Sequence, residues 1–528
     1  MSLIAQASQV VTTTATPKVD WWGVLPLLLL SAPAMVLLHV SSLLPRVFKG
    51  FYTLATVVIA AVAGAFAIGL WGRVTDLGRG PFTTLGGVFG VDGFSVFVTV
   101  LLCVSVILVA LLADDYLRRE GLEGAELYVL LLLSAAGGVI MASANELIVM
   151  FLGLEILSLA AYILATAHVR RSASQEAGMK YFVLGAFSSA FFLYGIALIY
   201  GATGTTNLVG IRVFLAETTL FDNGLLLAGM ALLLVGFGFK VAAVPFHTWT
   251  PDVYQGSPTP VVAYMASGVK AAGFAGLLRV FSVALITERS SWQPIVYVLA
   301  VATLLGGAVL AVVQTDVKRM MAYSSISHAG FILLGVQAAS GRGTAAALFY
   351  LAAYLFMVVG SFGVITVVSR QGDNCTALAD YQGLASSQPL LAAAFTVLLL
   401  AQTGVPLTAG FFAKFEVIAA AVDARSYWLG LVAMLAAVIG AFVYLRIIVA
   451  MYMTDALPSP TSAGEAVGAT SSGEVLAGGG VRPLHVPVGV WLAVGLSVAV
   501  TLLVGFWPGL VASLTEDAVP ALIGATPL

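Results

Sequence analysis

The chain has 528 residues, of which 60% are hydrophobic and only 9% charged, with a formal net charge of −2. Soluble domains carry roughly 25% charged residues, so this composition excludes a soluble enzyme and points to an all-α polytopic membrane protein. The balanced charge gives no footprint for nucleic acid. Two cysteines, Cys103 in an apolar run and Cys375 in a loop, supply neither a disulfide framework nor a metal or iron–sulfur cluster.

Residues 1–20 are polar and Thr-rich and lack the basic start of a signal peptide, so the run from Trp21 is expected to be a retained first helix. Apolar runs of membrane-spanning length fall near 22–44, 50–71, 92–113, 126–144, 146–167, 181–201, 224–246, 258–285, 293–313, 320–339, 343–369, 388–423, 426–453 and 485–510, about 14 transmembrane helices. Only Ser143-Ala144-Asn145 and Glu146 separate the fourth from the fifth. Segment 454–484, rich in Gly, Ser, Ala and Pro, reads as a flexible loop. With the N-terminus outside, the cytoplasmic loops hold eleven Lys and Arg and the outer loops seven, while Lys240, Lys270, Arg279, Lys414 and Arg446 lie within runs. That bias places both termini outside and the 454–484 loop in the cytoplasm.

Two runs look broken. Pro245 follows Lys240 by five residues. Segment 388–423 would reach about 54 Å as one helix, too long for a hydrocarbon core of about 30 Å, and Gly404-Val405-Pro406 sits in its middle. Proline removes a backbone donor and frees a carbonyl, which a membrane tolerates only where protein or water surrounds it. Interrupted helices at corresponding places in two halves are a transporter signature. They divide the chain into helices 1–3 (1–125), a first repeat of helices 4–8 (126–290), a second of helices 9–13 (291–453), the loop (454–484) and a C-terminal helix 14 (485–528).

A lysine at a bilayer centre costs about 2.5–3.5 kcal/mol on insertion scales. Lys240, Lys270 and Lys414 all sit in apolar sequence, and a buried ammonium is suited to reversible proton binding. Glu155, midway along ELIVMFLGLEILSLAAY, is the natural partner of Lys240: pairing holds the proton on the lysine and separation favours its loss. A static pair that fixes packing is the plainer reading, although such pairs often cost stability relative to apolar residues. Lys270 has no carboxylate nearby in sequence and lies too deep in its run to snorkel easily. Snorkelling suits Lys414 better; as the last in-run lysine, it could instead be a terminal donor. His328, in AYSSISHAGF, could bridge Lys270 and Lys414 through water or be a hydrogen-bonded core histidine. His247 and Glu146 are possible accessory groups. No Gly-rich nucleotide loop, haem-like histidine pair or metal site stands out, so the chain is expected to carry no redox centre, and energy for pumping must come from a partner or an ion gradient.

Four stretches, FLGLEILSLAAY, GFGFKVAAVPFHTWTPDVYQGSPTPVVAYMASGVKAAGF, TDVKRMMAYSSISHAGF and GVPLTAGFFAKF, resemble the antiporter-like membrane subunits of respiratory complex I and the related multisubunit sodium/proton antiporters. The resemblance covers nearly the whole chain and is densest from Asn145 to Lys414. TPDVYQGSPTP and the number of helices look like the N-type members. Lys414 departs from the M-type, which has glutamate there, and the chain lacks the long lateral helix of the L-type. The resemblance implies two inverted five-helix repeats, each with a broken helix. It also implies a Glu155–Lys240 pair in the first half-channel, Lys270 and His328 as connecting groups, and Lys414 in the second. The implied role is a proton-translocating subunit of a bacterial NADH–quinone oxidoreductase in the inner (plasma) membrane. Other membrane subunits, further antiporter-like ones among them, and lipids would surround it, and flavin, iron–sulfur clusters and quinone would belong to partner subunits. A subunit of a stand-alone sodium/proton antiporter is the alternative, and a passive scaffold the third reading.

Overall fold

A computed structural model describes residues 19–44, 48–76, 78–218, 223–453 and 486–521; the 454–484 segment lies outside them. Among the described residues the chain is nearly all helix, and twelve helices are long and apolar enough to cross a membrane. A helix underlies every one of the apolar runs. Two runs are not among the twelve. One is Val317–Gln337, whose serines, histidine and basic first turn dilute its apolar character. The other is 388–423, which is split into Pro389–Thr403 and Ala409–Asp423.

Polar caps punctuate this helical chain. Asp92 closes a capping box with Ser95 at the start of Gly93–Glu120. Glu146 accepts the Val149 amide at the start of Leu147–Ala165, Asp316 that of Arg319 before Val317–Gln337, and Ser340 that of Gly343 before Gly341–Val368. Each satisfies an amide that a helix leaves orphaned at its first turn. Two details depart from the sequence reading. Phe82–Thr84 and Phe89–Val91 form a short antiparallel hairpin, a small exception to an all-α chain. The sixth helix starts at Ser172 rather than 181, because the polar stretch before the apolar run continues the helix and brings Lys180 to within 2.8 Å of Asp252.

Burial is graded across the bundle. The helical span Thr259–Ala284 is wholly buried and Gly341–Val368 nearly so, whereas Trp21–Leu43, Ser172–Thr203 and Tyr427–Met453 turn mostly outward. A protein that crosses a membrane covers its core with apolar side chains on all outer faces, and Trp428, Phe187 and Val438 are exposed accordingly. The innermost helices carry Lys270, His328, Tyr350 and Tyr354.

The helix that carries Glu155 is fixed by a backbone-to-backbone crossing. A Cβ at Gly153 would lie 2.8 Å from the Met141 amide nitrogen and 2.9 Å from the Gly137 carbonyl oxygen, and one at Gly137 would lie 2.4 Å from the Leu157 nitrogen. Small residues allow such close approach between membrane helices. Gly153→Leu is therefore expected to force the two helices apart at a cost of about 1–3 kcal/mol or more, measurable as a lower thermal unfolding midpoint of the purified assembly. An unchanged midpoint would contradict the crossing.

Candidate functional site: a buried line of lysines and a histidine

The first station forms where a helix stops. Gly224–Val241 ends as Ala242 takes a left-handed φ of 62°, with its amide returning to the Gly238 and Phe239 carbonyls. The chain then passes a cis Val244-Pro245 bond before Trp249–Gly256 resumes the helix. Side chains serve the freed backbone: Thr303 Oγ1 accepts the Val244 amide at 2.9 Å, and the Trp249 indole donates to the Phe239 carbonyl at 3.1 Å. Lys240 occupies the last turn before this break, 3% exposed. Its stem lies against Gly273, where a Cβ would come 2.9 Å from Lys240 Cγ. Its ammonium sits 5.5 Å and 5.7 Å from the ring centroids of Tyr162 and Tyr181.

Glu155 does not close an ion pair with Lys240. Glu155 Oε1 and Lys240 Nζ are both buried without a hydrogen-bond partner among the described residues. Tyr162, two turns along the helix from Glu155 and therefore on the same face, contributes the ring that Lys240 meets. The direct pair expected from the sequence is thus open, and Lys240 faces aromatic rings instead.

Lys270 follows a π-helical turn, Met265–Val269, a local widening of the helix that is frequent at functional positions. Ser267 in that turn meets Ser105 at 2.7 Å between hydroxyls. The Lys270 ammonium donates to both the Ser325 carbonyl (2.6 Å) and the Ser325 hydroxyl (2.5 Å), and lies 5.7 Å from the Tyr354 ring centroid. His328 stands one turn beyond Ser325 on the same helix. Its Nδ1 meets Tyr350 OH at 2.6 Å and its Nε2 meets Tyr444 OH at 3.0 Å, while Tyr444 also bonds Ser324.

The second break mirrors the first. Gly404, with φ 95°, ends Pro389–Thr403, and Pro406 lies in the gap before Ala409–Asp423. Lys414 reaches back from the second half, 8% exposed, and donates to the Thr403 carbonyl at 2.8 Å. It also lies 4.8 Å over the Phe331 ring. Glu416 points elsewhere and pairs with Arg342 at 3.6 Å. A cavity of about 20 Å³ is bordered by Lys414, His328, Ser324, Ser327 and Tyr444, room for about one water. So the Ser325 hydroxyl links Lys270 to the His328 helix, and a water-sized space is bordered by both His328 and Lys414. His247 sits half-buried in the first break, its Nδ1 without a hydrogen-bond partner among the described residues. Glu146 is a helix cap, about 13 Å along its helix from Glu155.

A second cluster was not foreseen. Asp373, 4% exposed, accepts from Ser369 (2.8 Å), Thr259 (2.9 Å), Tyr116 (3.0 Å) and Arg171 (3.1 Å), with Lys318 at 3.6 Å. Thr259, Lys318 and Ser369 stand at the ends of the helical spans that carry Lys270, His328 and Tyr350, while Tyr116 and Arg171 come from the ends of two others. Burial alone would raise the Asp373 carboxyl, but Lys318, Ser369, Arg171 and Thr259 together hold it below the usual carboxylate range. A carboxyl depressed in the folded state stabilises the fold above its unfolded value of about 3.9, and that contribution disappears as pH falls through the folded value. Among the described residues, no group of three or more His, Cys, Asp or Glu gathers as a metal site would require.

Buried cations strung past two broken helices define an antiporter-like membrane protein. The family model NADH:quinone oxidoreductase/Mrp antiporter, TM, matches residues 144–440. A NADH-quinone oxidoreductase subunit N of Trichlorobacter lovleyi is 41% identical over 429 residues, covering 81% of this chain and 87% of that one. A chain of respiratory complex I from Thermus thermophilus, solved with bound aureothin, superposes with a TM-score of 0.73 at 33% identity, covering 93% of this chain and 99% of its own. A chain of the Mrp complex of Dietzia shares the fold with a TM-score of 0.80 at 22% identity, over 95% and 97% of the two chains. The chain belongs to the NADH-quinone oxidoreductase subunit N family.

Asp373→Asn is expected to lower stability at neutral pH by about 3–5 kcal/mol, the cost of breaking a buried ion network from one side. The variant should also lack the acid-side loss of stability that Asp373 gives the parent chain. Unfolding curves from pH 7 down to about pH 3 measure both effects; parallel curves for parent and variant would contradict the assignment.

Proposed function

We propose that this chain moves protons across the membrane as the antiporter-like subunit N of a bacterial NADH–quinone oxidoreductase. Its proton-carrying groups are Lys240, Lys270, His328 and Lys414, with Glu155 controlling the charge at Lys240. One observation carries the reading: the Lys270 ammonium is held by Ser325, one turn from an imidazole whose two nitrogens both meet tyrosine hydroxyls. Buried ionisable groups in membrane helices mark proton or ion paths. Here each is within one helical turn, one ring or one water-sized space of a polar neighbour.

In this reading Lys240 is the gated station. A change at Glu155 alters how well its ammonium is balanced, since the two are near but unpaired. Lys270 exchanges its proton through the Ser325 hydroxyl, His328 passes it between its two nitrogens, and Lys414 is the terminal group. The division into repeats 126–290 and 291–453 is supported by the breaks. Each sets a lysine beside the end of the first half-helix: Lys240 is a residue of its last turn, and Lys414 reaches the Thr403 carbonyl from across the gap. The basic loop bias supports an inner-membrane, multi-pass placement with both termini outside. Flavin, iron–sulfur clusters and quinone belong to partner subunits, and this chain contributes no redox centre. The sodium/proton antiporter reading shares the fold but is less well supported, because the 41% identical relative is a subunit N.

Lys240→Ala, in an otherwise assembled complex, is expected to reduce protons moved per NADH oxidised and to slow coupled turnover several-fold. Proton uptake by inside-out vesicles, referred to NADH consumption, reads this directly. An unaltered ratio would overturn the proposal. Co-purification of flavin and iron–sulfur subunits, rather than small antiporter subunits, separates the two assemblies.

A further inference from the structure

The proton line leaves two in-span arginines unused. Arg279 is neutralised by Asp92 at 2.6 Å, both 1% exposed. Arg446 forms no ion pair among the described residues; its guanidinium donates to the carbonyl of Val312, the last residue of Arg289–Val312. It sits seven residues before the end of Tyr427–Met453, about 10 Å along the axis. That end of the bundle also carries Lys318 and Arg319.

A groove of about 570 Å³ opens beside Arg446 on the outer surface. Phe442, Leu445 and Val449 form one wall, and Leu378, Gln382 and Thr315 border it. The three apolar residues are 53%, 49% and 47% exposed and share one stripe of the helix by their spacing. Two carboxylates lie near the rim, each already engaged. Asp316 accepts from the Arg319 amide (2.9 Å) and the Thr376 hydroxyl (2.5 Å), and Asp380 from the Ala377 amide (2.8 Å). An apolar stripe alone would accept any acyl chain. An arginine beside that stripe, without a carboxylate partner among the described residues, makes the groove selective.

We propose that this groove binds an anionic phospholipid, its phosphate on Arg446 and one acyl chain running from it along Leu445 and Phe442. A guanidinium keeps several N–H groups free after one is given to a carbonyl, and its planar fork suits phosphate oxygens. Basic pockets between membrane helices recognise anionic headgroups in this way. The Val312 carbonyl fixes the arginine in place, so little side-chain freedom is lost when phosphate arrives.

The test uses the intact, detergent-extracted assembly and a photoactivatable phosphatidylglycerol. Illumination is expected to label the segment 442–449. Excess phosphatidylglycerol should compete at least several-fold better than phosphatidylcholine. Arg446→Gln should lower labelling several-fold, and Arg446→Lys should retain part of it. Equal labelling with a phosphatidylcholine analogue, or undiminished labelling of Arg446→Gln, would overturn the proposal. So would a cross-link from this segment to a neighbouring subunit's helix in place of lipid. If Arg446→Gln fails to assemble, the lipid competition on the parent assembly decides.

Discussion

A helix inside a membrane cannot stop without giving its freed amides and carbonyls new partners, and the chain meets this constraint twice. At the first break Thr303 and Trp249 supply side-chain partners; at the second, Lys414 supplies its ammonium to the Thr403 carbonyl. The C-terminal end of a helix carries partial negative charge. At the second break that end is met by the Lys414 ammonium, whereas at the first Lys240 belongs to the last turn itself and its ammonium has no hydrogen-bond partner among the described residues. At Lys414 the cost of a buried ammonium and the cost of an unsatisfied carbonyl offset one another at the same place. The second break is thus the reason Lys414 can be where it is.

Charge is distributed unevenly along the bundle, and the difference separates structural groups from the proposed proton carriers. At one end, acids and bases are closely matched: Asp373 has five polar partners, and Asp252 lies 2.8 Å from Lys180 and 2.7 Å from Arg319. Glu120 accepts the Gly372 amide at 2.9 Å and faces His168 at 3.3 Å. Removing one member of such a network strands the others, so it holds helix ends in register. Along the inner line the partners are different in kind. Lys240 meets aromatic rings, Lys270 a hydroxyl and a carbonyl, Lys414 a carbonyl. None of these groups carries a full opposite charge, so none is left stranded as an uncompensated ion when a lysine gives up its proton.

How much of this was legible in the sequence depends on what kind of signal each residue leaves. A lysine in an apolar run is visible at once, because only one position has to be read, and Lys240, Lys270 and Lys414 all lie buried. Pro245 and Pro406 marked both breaks for a similar reason. Glu155 was legible as a candidate partner of Lys240, but their separation was not, since Tyr162, whose ring Lys240 meets, looks like any core aromatic. Tyr350 and Tyr354 share that disguise; their four-residue spacing in FYLAAYLF also fits ordinary packing. Ser325 stood within a motif already singled out, one turn from His328, and that spacing was the available clue. Asp373 left no clue at all. It lies in a polar loop, and its partners come from helix ends scattered between Tyr116 and Ser369.

The tyrosines around His328 show why hydroxyls, rather than carboxylates, are the fitting partners here. A neutral imidazole has one N–H donor and one bare nitrogen acceptor, and which is which depends on the tautomer. A carboxylate beside one nitrogen would favour the tautomer that donates to it and would hold the ring cationic. A phenol accepts from an N–H and donates to a bare nitrogen equally well, so Tyr350 and Tyr444 satisfy either tautomer without moving the ring. Tyr444 extends this to Ser324, a second hydroxyl able to reverse its direction. The imidazole can therefore gain a proton at one nitrogen and lose one at the other while its heavy atoms stay in place. Packing fixes the geometry, and only the hydrogens have to rearrange.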